Sequence, residues 1–428
     1  MSGSSCATVA AGGGVRRGLA DGSWALIGQV GSGLMLLAGT RLLTELVAPS
    51  VFGQVALLSG LIGLGVSLFA YPFVSAGMRL LPEYLASGGQ RLLLSRLHAL
   101  IRRSTAIALI LLAGAGAWWV SAGQVAAPTV TIAALLLIVT IRRELGVQML
   151  IGQRRQRDAS LWQTLDGMLR PALAVALVWW GGADPGLILL GYCLAGLLAN
   201  GVCRVAFRDG DGGDSGTVAN RGIRADILRY ALPLIPMELL SWFNALGDRY
   251  VIGYFLTSAD VGLYAAAYTL TNEAFHRAAI VLLRSFQPVY FGHHAHGRRH
   301  DAARVYRYWV GCVLLLGAGG VAAIALLKDW VAALLLAEVY RDAASLMPII
   351  GLGCALQALG TVMAQPLHAA KTTGRLLQGR VVGAATAAVS LPLMVQAQGL
   401  AGAAWAAPLY FGVEAVAFLV IAHLRRRQ

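Results

Sequence analysis

The stretch RYALPLIPMELLSWFNALGDRYVIGYFLTSADVGLYAAAY, Arg229 to Tyr268, decides what kind of chain this is. An apolar run interrupted by Pro233, Pro236 and Glu238 reaches a polar pair, Asp248 and Arg249, then turns between Thr257 and Asp260 into a second apolar run. At 1.5 Å per residue, about 20 helical residues match a hydrocarbon core of roughly 30 Å, the length of Arg229 to Asp248. The stretch therefore reads as a helical hairpin crossing a bilayer. A carboxylate near the middle of such a span costs about 2.5 to 3.5 kcal/mol on insertion scales, so Glu238 must face protein, water or a partner charge.

A similar hairpin opens the chain. Trp24 to Thr40 is apolar, Arg41 closes it, and Arg41 to Gly53 pairs with Arg249 to Gly262, half a chain later, after one inserted residue. Two copies of one hairpin imply two homologous halves, and an even number of spans per half makes them parallel repeats, a recognised transporter design.

Composition agrees. The 428 residues are 57% hydrophobic and 13% charged, with mean hydropathy +0.68, far too apolar for an ordinary soluble domain. Twelve apolar runs emerge, near 22–43, 48–76, 92–120, 126–150, 159–180, 185–204, 229–250, 259–288, 304–327, 343–368, 376–396 and 399–422. Two boundaries, Ser121 to Pro128 and Gln396 to Gly399, rest on turn residues alone. The short run Trp330 to Leu336 is expected to be a separate interfacial helix. The division that follows is a tail (1–21), an N-lobe (22–204), a linker (205–228), a C-lobe (229–422) and a basic tail (423–428).

The formal net charge of +14 invites a nucleic-acid reading, but no soluble stretch is long enough to present a basic face. The charge is a topology signal. With the N-terminus inside, about thirty of the 34 basic residues fall on the cytoplasmic side or at buried inner-half positions, leaving Arg41, Arg249, Lys328 and Arg341 opposite. Both termini are expected in the cytoplasm, with no removable signal peptide at the start. The spaced aspartates of 208–222 lack the pattern of a calcium loop, and HHAHGRRH (His293 to His300) reads as a solvated basic turn, so no metal is expected. Cys193, Cys203, Cys312 and Cys354 fall singly in apolar runs. No Walker motif occurs, so no cofactor or ATPase is expected and the chain reads as a non-enzyme.

Four segments carry a family resemblance: VAPSVFGQVALL (47–58), AYPFVSAGMRLLPEY (70–84), LPLIPMELLSWFNALGDRYVIGYFL (232–256) and SADVGLYAAAYTL (258–270). The chain resembles the Wzx-type flippases of lipid-linked oligosaccharides, O-antigen and exopolysaccharide exporters within the MATE-like multidrug/oligosaccharidyl-lipid/polysaccharide exporter superfamily. The resemblance implies an all-α integral membrane fold of about twelve helices in two six-helix lobes, related by a pseudo-twofold repeat around a central cavity. It implies a cytoplasmic (inner) membrane location and a polyprenyl-diphosphate-linked oligosaccharide as cargo. It also implies alternating access, coupling to H+ or Na+, and a working association with polysaccharide polymerase and chain-length machinery.

Residues inside the spans are the candidates for that chemistry. Glu238 lies near the midplane behind two prolines that free backbone carbonyls, and broken helices at that depth mark transporter sites. Tyr264, Tyr268, Asn272 and His276 form a stripe at four-residue spacing, suited to sugar rings or simply to packing. Asp166 with Arg170, and Glu273 with Arg277, stand four apart, which lets each helix neutralise itself. Glu414 is near mid-depth, Gln29 is central in the first span, and Arg79 and Arg284 lie toward cytoplasmic ends. Asp248 and Arg249 are expected at the outer interface, where snorkelling explains them. On the flippase reading, Arg79, Arg170, Arg277 and Arg284 hold the diphosphate, Tyr264, Tyr268 and Asn272 meet sugar, and Glu238, Glu273, Glu414 or Asp166 binds the coupling ion. The alternatives are a cation-coupled multidrug exporter, expected to place an acid deep in the first lobe, and a membrane polysaccharide polymerase or ligase, expected to carry a long outward loop.

Overall fold

The computed structural model describes residues 31–86, 89–123, 125–153, 155–206, 222–370 and 372–427, which form helices and turns with no strand. The N-terminal tail, Gln29 and the spaced aspartates of 208–222 lie outside them. Helix α1 covers 31–46. It is followed by α2 (Pro49–Phe69), α3 (Tyr71–Ala86), α4 (Gln90–Ser121), α5 (Ala127–Gly152), α6 (Gln156–Gly181) and α7 (Pro185–Ala206). After the linker come α8 (Ile223–Ala231), α9 (Leu234–Phe255), α10 (Ser258–Ala295), α11 (Arg299–Leu335), a 3-10 segment (Glu338–Leu346), α12 (Met347–Met363), α13 (Gln365–Ala369) and α14 (Thr373–Arg427).

The turns follow local chemistry. Thr257 and Asp260 cap α10 reciprocally: the Asp260 amide donates to Thr257 Oγ1 (3.2 Å), and the Thr257 amide donates to Asp260 Oδ2 (3.1 Å). Asp184 Oδ1 accepts the amides of Gly186 (2.7 Å) and Leu187 (3.2 Å) at the start of α7. Within α14, Gly399 adopts φ 59°, which L side chains rarely hold, and there the helix breaks. Its two arms pack on each other through Ala387, Leu391, Ala407 and Tyr410, making a hairpin of two spans.

Two sequence expectations change. Trp330 to Leu336 is not a separate interfacial helix; α11 runs unbroken through Leu335, because no Gly or Pro interrupts it beyond Leu326. The second apolar run is divided at Ala70, where α3 begins with Tyr71 and Pro72, the proline having no N–H to continue the ladder.

Among the described residues, six segments are long and apolar enough to cross a membrane by length and composition, and the last of them, Gly374–Leu424, contains both arms of the α14 hairpin. Helices α5, α6, α9 and α10 fall outside that set, and each carries internal charges: Arg142, Arg143 and Glu144; Asp166 and Arg170; Glu238 and Asp248; Glu273 and Arg277. Exposed aromatics mark helix ends, with Trp118, Trp179, Trp180, Tyr254 and Trp330 all near ends that the charge pattern assigns to the outer side. Such rings sit at the level of lipid headgroups.

Contacts divide the chain into two units. The first takes the described residues through Gly39 with Ile62–Ile235; the second takes Thr40–Leu61 with Pro236–Gln428. Segment 40–61 joins the second unit through specific bonds. Trp242 Nε1 donates to Gly60 O (2.9 Å), Tyr250 Oη to Leu57 O (2.7 Å), Tyr340 Oη to Val47 O (2.9 Å), and the Ala337 amide to Thr44 Oγ1 (3.2 Å).

At the tip of that segment Gly53 meets its counterpart in the repeat. A Cβ on Gly53 would collide with Ser258 O and the Gly262 amide, and one on Gly262 with Pro49 O. The two hairpin tips thus touch backbone to backbone, which only glycine permits. Gly53→Ala should destabilise the protein by about 1 to 3 kcal/mol through overpacking. Chemical unfolding in detergent reads this, and a midpoint equal to the wild type's would show that the tips can part without cost.

Candidate functional site

In the first unit the buried acid is Asp166 on α6, whose side chain is 3% exposed. Arg170, one turn on, places Nε 3.0 Å from Oδ2, the expected self-pairing along the helix. Arg143 of α5 adds a second guanidinium, its Nε 2.9 Å from the same oxygen. Sequence reasoning counted Arg143 only as a topology charge. Gly196 of α7 leaves room beside the carboxylate, and Asn200 Nδ2, one turn further along α7, donates to Val139 O (3.1 Å) on α5. Arg143 Nη1 also lies 3.8 Å from Glu144 Oε2, so two guanidiniums face two carboxylates and the group is neutral overall. Arg170 Nη2 has no hydrogen-bond partner among the described residues. That nitrogen is a charged donor left for one further acceptor.

Arg79, also in this unit, is exposed and paired with Glu83 at 2.9 Å on α3. It does not join the Asp166 cluster.

The chain leaves the first unit through a break. Helix α8 packs on α3, and the path turns at Leu232 and Pro233 before α9 begins. Glu238 follows one turn later, half-buried. Of the four candidate acids, Glu238 alone forms no ion pair with a described residue. Asp166 has its two arginines, Glu273 is bound by Arg277 on α10, and Glu414 is bound by Arg380 at 2.5 Å.

The Glu414 pair crosses the α14 hairpin. Glu414 is buried at 3%, Asn244 Nδ2 of α9 approaches its Oε2 at 3.4 Å, and the Arg380 guanidinium lies 5.7 Å from the Phe418 ring centroid. Gly379 and Gly383 make this possible. A Cβ on Gly383 would meet the Glu414 side chain, and one on Gly379 the Phe418 ring, so this GxxxG packs one arm on the other.

The tyrosine stripe turns inward. Tyr264 is fully buried and its hydroxyl donates to Asp248 Oδ2 (2.8 Å); Tyr268 is also buried, beneath Arg249 at 5.2 Å. In this structure neither ring offers a face to a sugar, and the packing alternative describes both. Asp248 was expected to snorkel at the interface, but it is 2% exposed and its Oδ1 accepts the Arg249 amide at 2.8 Å. Its signal was available in the sequence, since an Asp one helical length from a Tyr-rich partner can be satisfied by a hydroxyl.

Asn272 is half-buried and lines, with His276, Gln357, Thr361 and Arg380, a cavity of about 200 Å³ within this unit. Arg284 is exposed on α10 and pairs with no described residue. The structure thus brings Asp166 and Arg170 together, puts Asn272 beside Arg380, and leaves Arg79 and Arg284 apart from both. Among the described residues no group of three metal-ligating side chains occurs.

Residues 19–281 match a sequence-family profile described as polysaccharide biosynthesis protein, well over half the chain. The chain belongs to that family. The polysaccharide biosynthesis proteins of this kind are Wzx-type flippases, as the four sequence segments suggested. No curated protein matches the chain.

Solved structures agree on the fold of this polysaccharide biosynthesis protein. An inward-facing multidrug resistance MATE family transporter of the MOP superfamily has TM-score 0.68 at 16% identity, over 92% of this chain and 94% of that one. Lipid II flippase MurJ in an inward closed conformation has TM-score 0.71 at 11% identity, over 94% and 87% respectively. An outward-facing MATE transporter of the same superfamily has TM-score 0.62 at 15% identity, over 95% of each chain. The fold is the all-helical, multi-pass membrane fold of the MATE-like superfamily.

Proposed function

We propose that this chain is a flippase moving a polyprenyl-diphosphate-linked oligosaccharide from the inner to the outer leaflet of a bacterial inner membrane, for cell-surface polysaccharide synthesis. Its motion is alternating access, its energy an ion gradient, and it makes no covalent change to its cargo. The observation that supports this reading is the Asp166 cluster: the buried acid of the first unit is held by Arg143 and Arg170, and Arg170 Nη2 keeps a donor with no partner among the described residues. A diphosphate accepts charge-assisted bonds from guanidinium forks, and such a donor suits it.

Cation-coupled drug export on the same fold is the second reading. It needs an uncompensated acid in the first unit, and Asp166 does not supply one. Export of a cationic dye from loaded vesicles, with no movement of lipid-linked sugar, would reverse the preference.

Coupling is assigned to Glu238, the candidate acid without a guanidinium, placed just after the α8–α9 break where backbone carbonyls are freed. Glu238→Gln should leave passive flipping measurable while abolishing its stimulation by an inward H+ or Na+ gradient. The check is the initial rate in vesicles with and without each gradient; full stimulation in the variant moves the coupling role elsewhere.

A further inference from the structure

A pocket of about 740 Å³ in the first unit plays no part in the reading above. It lies among α4, α5, α6 and α7 and is lined at one end by Arg102, Arg142 and Arg204, from three different helices, with His98 one turn before Arg102. No carboxylate lines it, and none of these arginines pairs with a described residue. Beyond them the walls are hydrocarbon, Leu109, Ile138 and Leu145 among them, over the buried Trp162 ring. Each arginine stands about 22 to 29 Å along its helix from the outer end, which is the inner boundary of a roughly 30 Å core. The pocket is thus a basic mouth at headgroup level with an apolar floor inside the bilayer.

We infer that this pocket is a binding site for an anionic phospholipid of the inner leaflet, its phosphate held by Arg102, Arg142 and Arg204 and an acyl chain laid along the floor. Three unpaired guanidiniums around an apolar channel match a molecule that is both anion and hydrocarbon, and basic pockets between spanning helices on the cytoplasmic side suit such headgroups. The cargo's carrier is a poorer match. A sugar needs several hydroxyl partners and open ring faces, and besides its basic groups the pocket offers Thr105, Gln153, the Cys203 thiol and Trp162 Nε1, while Trp162 is 5% exposed with its ring seated on Gly146. Asp166 and its arginines are a separate cluster: Arg142 lines the pocket, whereas its neighbour Arg143 reaches Asp166. The site stands whether or not the cargo is a lipid-linked sugar.

Native mass spectrometry of the full chain from mixed micelles of phosphatidylglycerol and phosphatidylethanolamine tests it. The wild type should retain phosphatidylglycerol in clear preference, and Arg102→Gln/Arg142→Gln/Arg204→Gln should drop to parity. Arg298→Gln/Arg299→Gln/Arg304→Gln, which removes equal charge from the exposed start of α11, should keep the preference. Ala106→Trp, filling the channel without changing charge, guards against a folding artefact and should also lose the lipid. Equal retention of both lipids by the wild type, or an unchanged preference in the pocket variants, overturns the site. Complete displacement of phosphatidylglycerol by equimolar farnesyl diphosphate, but not by phosphatidic acid, would assign the pocket to the carrier and overturn it as well.

Discussion

Arg170→Ala should lower the initial rate of flipping of a labelled polyprenyl-diphosphate oligosaccharide by about two orders of magnitude in vesicles, and Arg143→Ala should do the same. Each guanidinium has its Nε within about 3 Å of Asp166 Oδ2, so removing one takes away a donor and leaves the remaining arginine facing Asp166 and Glu144, a net negative group that disfavours an anionic cargo. Truncating one partner of a close buried charge pair costs about 2 to 5 kcal/mol, and every 1.4 kcal/mol is tenfold. Arg170 is 27% exposed on its side chain, which keeps the expected loss toward the lower half of that range. Arg170→Lys retains charge but loses the planar fork and should recover part of the rate. Rates equal to the wild type's in both Ala variants would remove the diphosphate role from the cluster.

The second large effect falls on stability. Arg380→Ala leaves Glu414 buried with only the long contact from Asn244, and an uncompensated buried charge costs about 3 to 5 kcal/mol. Replacing both residues, as in Arg380→Met/Glu414→Leu, removes the charge together with its partner and should restore most of that loss. Chemical unfolding of the purified proteins separates the outcomes. If the double variant is as unstable as the single, the pair stabilises the hairpin by its own attraction rather than by mutual neutralisation. Transport by the double variant also tests whether Glu414 binds a coupling ion. With a guanidinium already on its Oε1, the account expects gradient stimulation to survive this change.

Much of the architecture was legible because its causes are local. Span length is set by bilayer thickness, and turns by residues such as Gly399 and the Thr257–Asp260 cap, so hydropathy and turn chemistry reached the α14 hairpin without a single charge to mark it. The pairs Asp166–Arg170 and Glu273–Arg277 were legible for the same reason, since four-residue spacing alone brings the groups together.

Cross-helix partners were not, because they depend on how each helix is rotated about its axis. Arg142 and Arg143 are neighbours in sequence, yet one lines the lipid pocket and the other binds Asp166. A rotation of about 100° per residue sends adjacent side chains to different faces. Arg380 was read as a cytoplasmic-end charge, and only the arm-to-arm packing allowed by Gly379 and Gly383 shows its bond to Glu414. Tyr264 and Tyr268 misled in the opposite sense: their regular spacing suggested a stacking stripe, but the stripe faces the unit's interior, where Asp248 takes the Tyr264 hydroxyl. The contact of Gly53 with Gly262 was half visible. The repeat aligned the two glycines, and the structure adds that they touch.

The most direct test of the transport claim reconstitutes the purified chain in vesicles loaded on the inner leaflet with fluorescent polyprenyl-diphosphate oligosaccharide, under an imposed ion gradient. A membrane-impermeant quencher reads how much label reaches the outer leaflet. The account predicts rapid exposure in the wild type, loss of it in Arg143→Ala/Arg170→Ala, and no exposure of the same lipid carrying a neutral headgroup. Label that stays inside with the wild type, or that crosses equally well without its diphosphate, would contradict it.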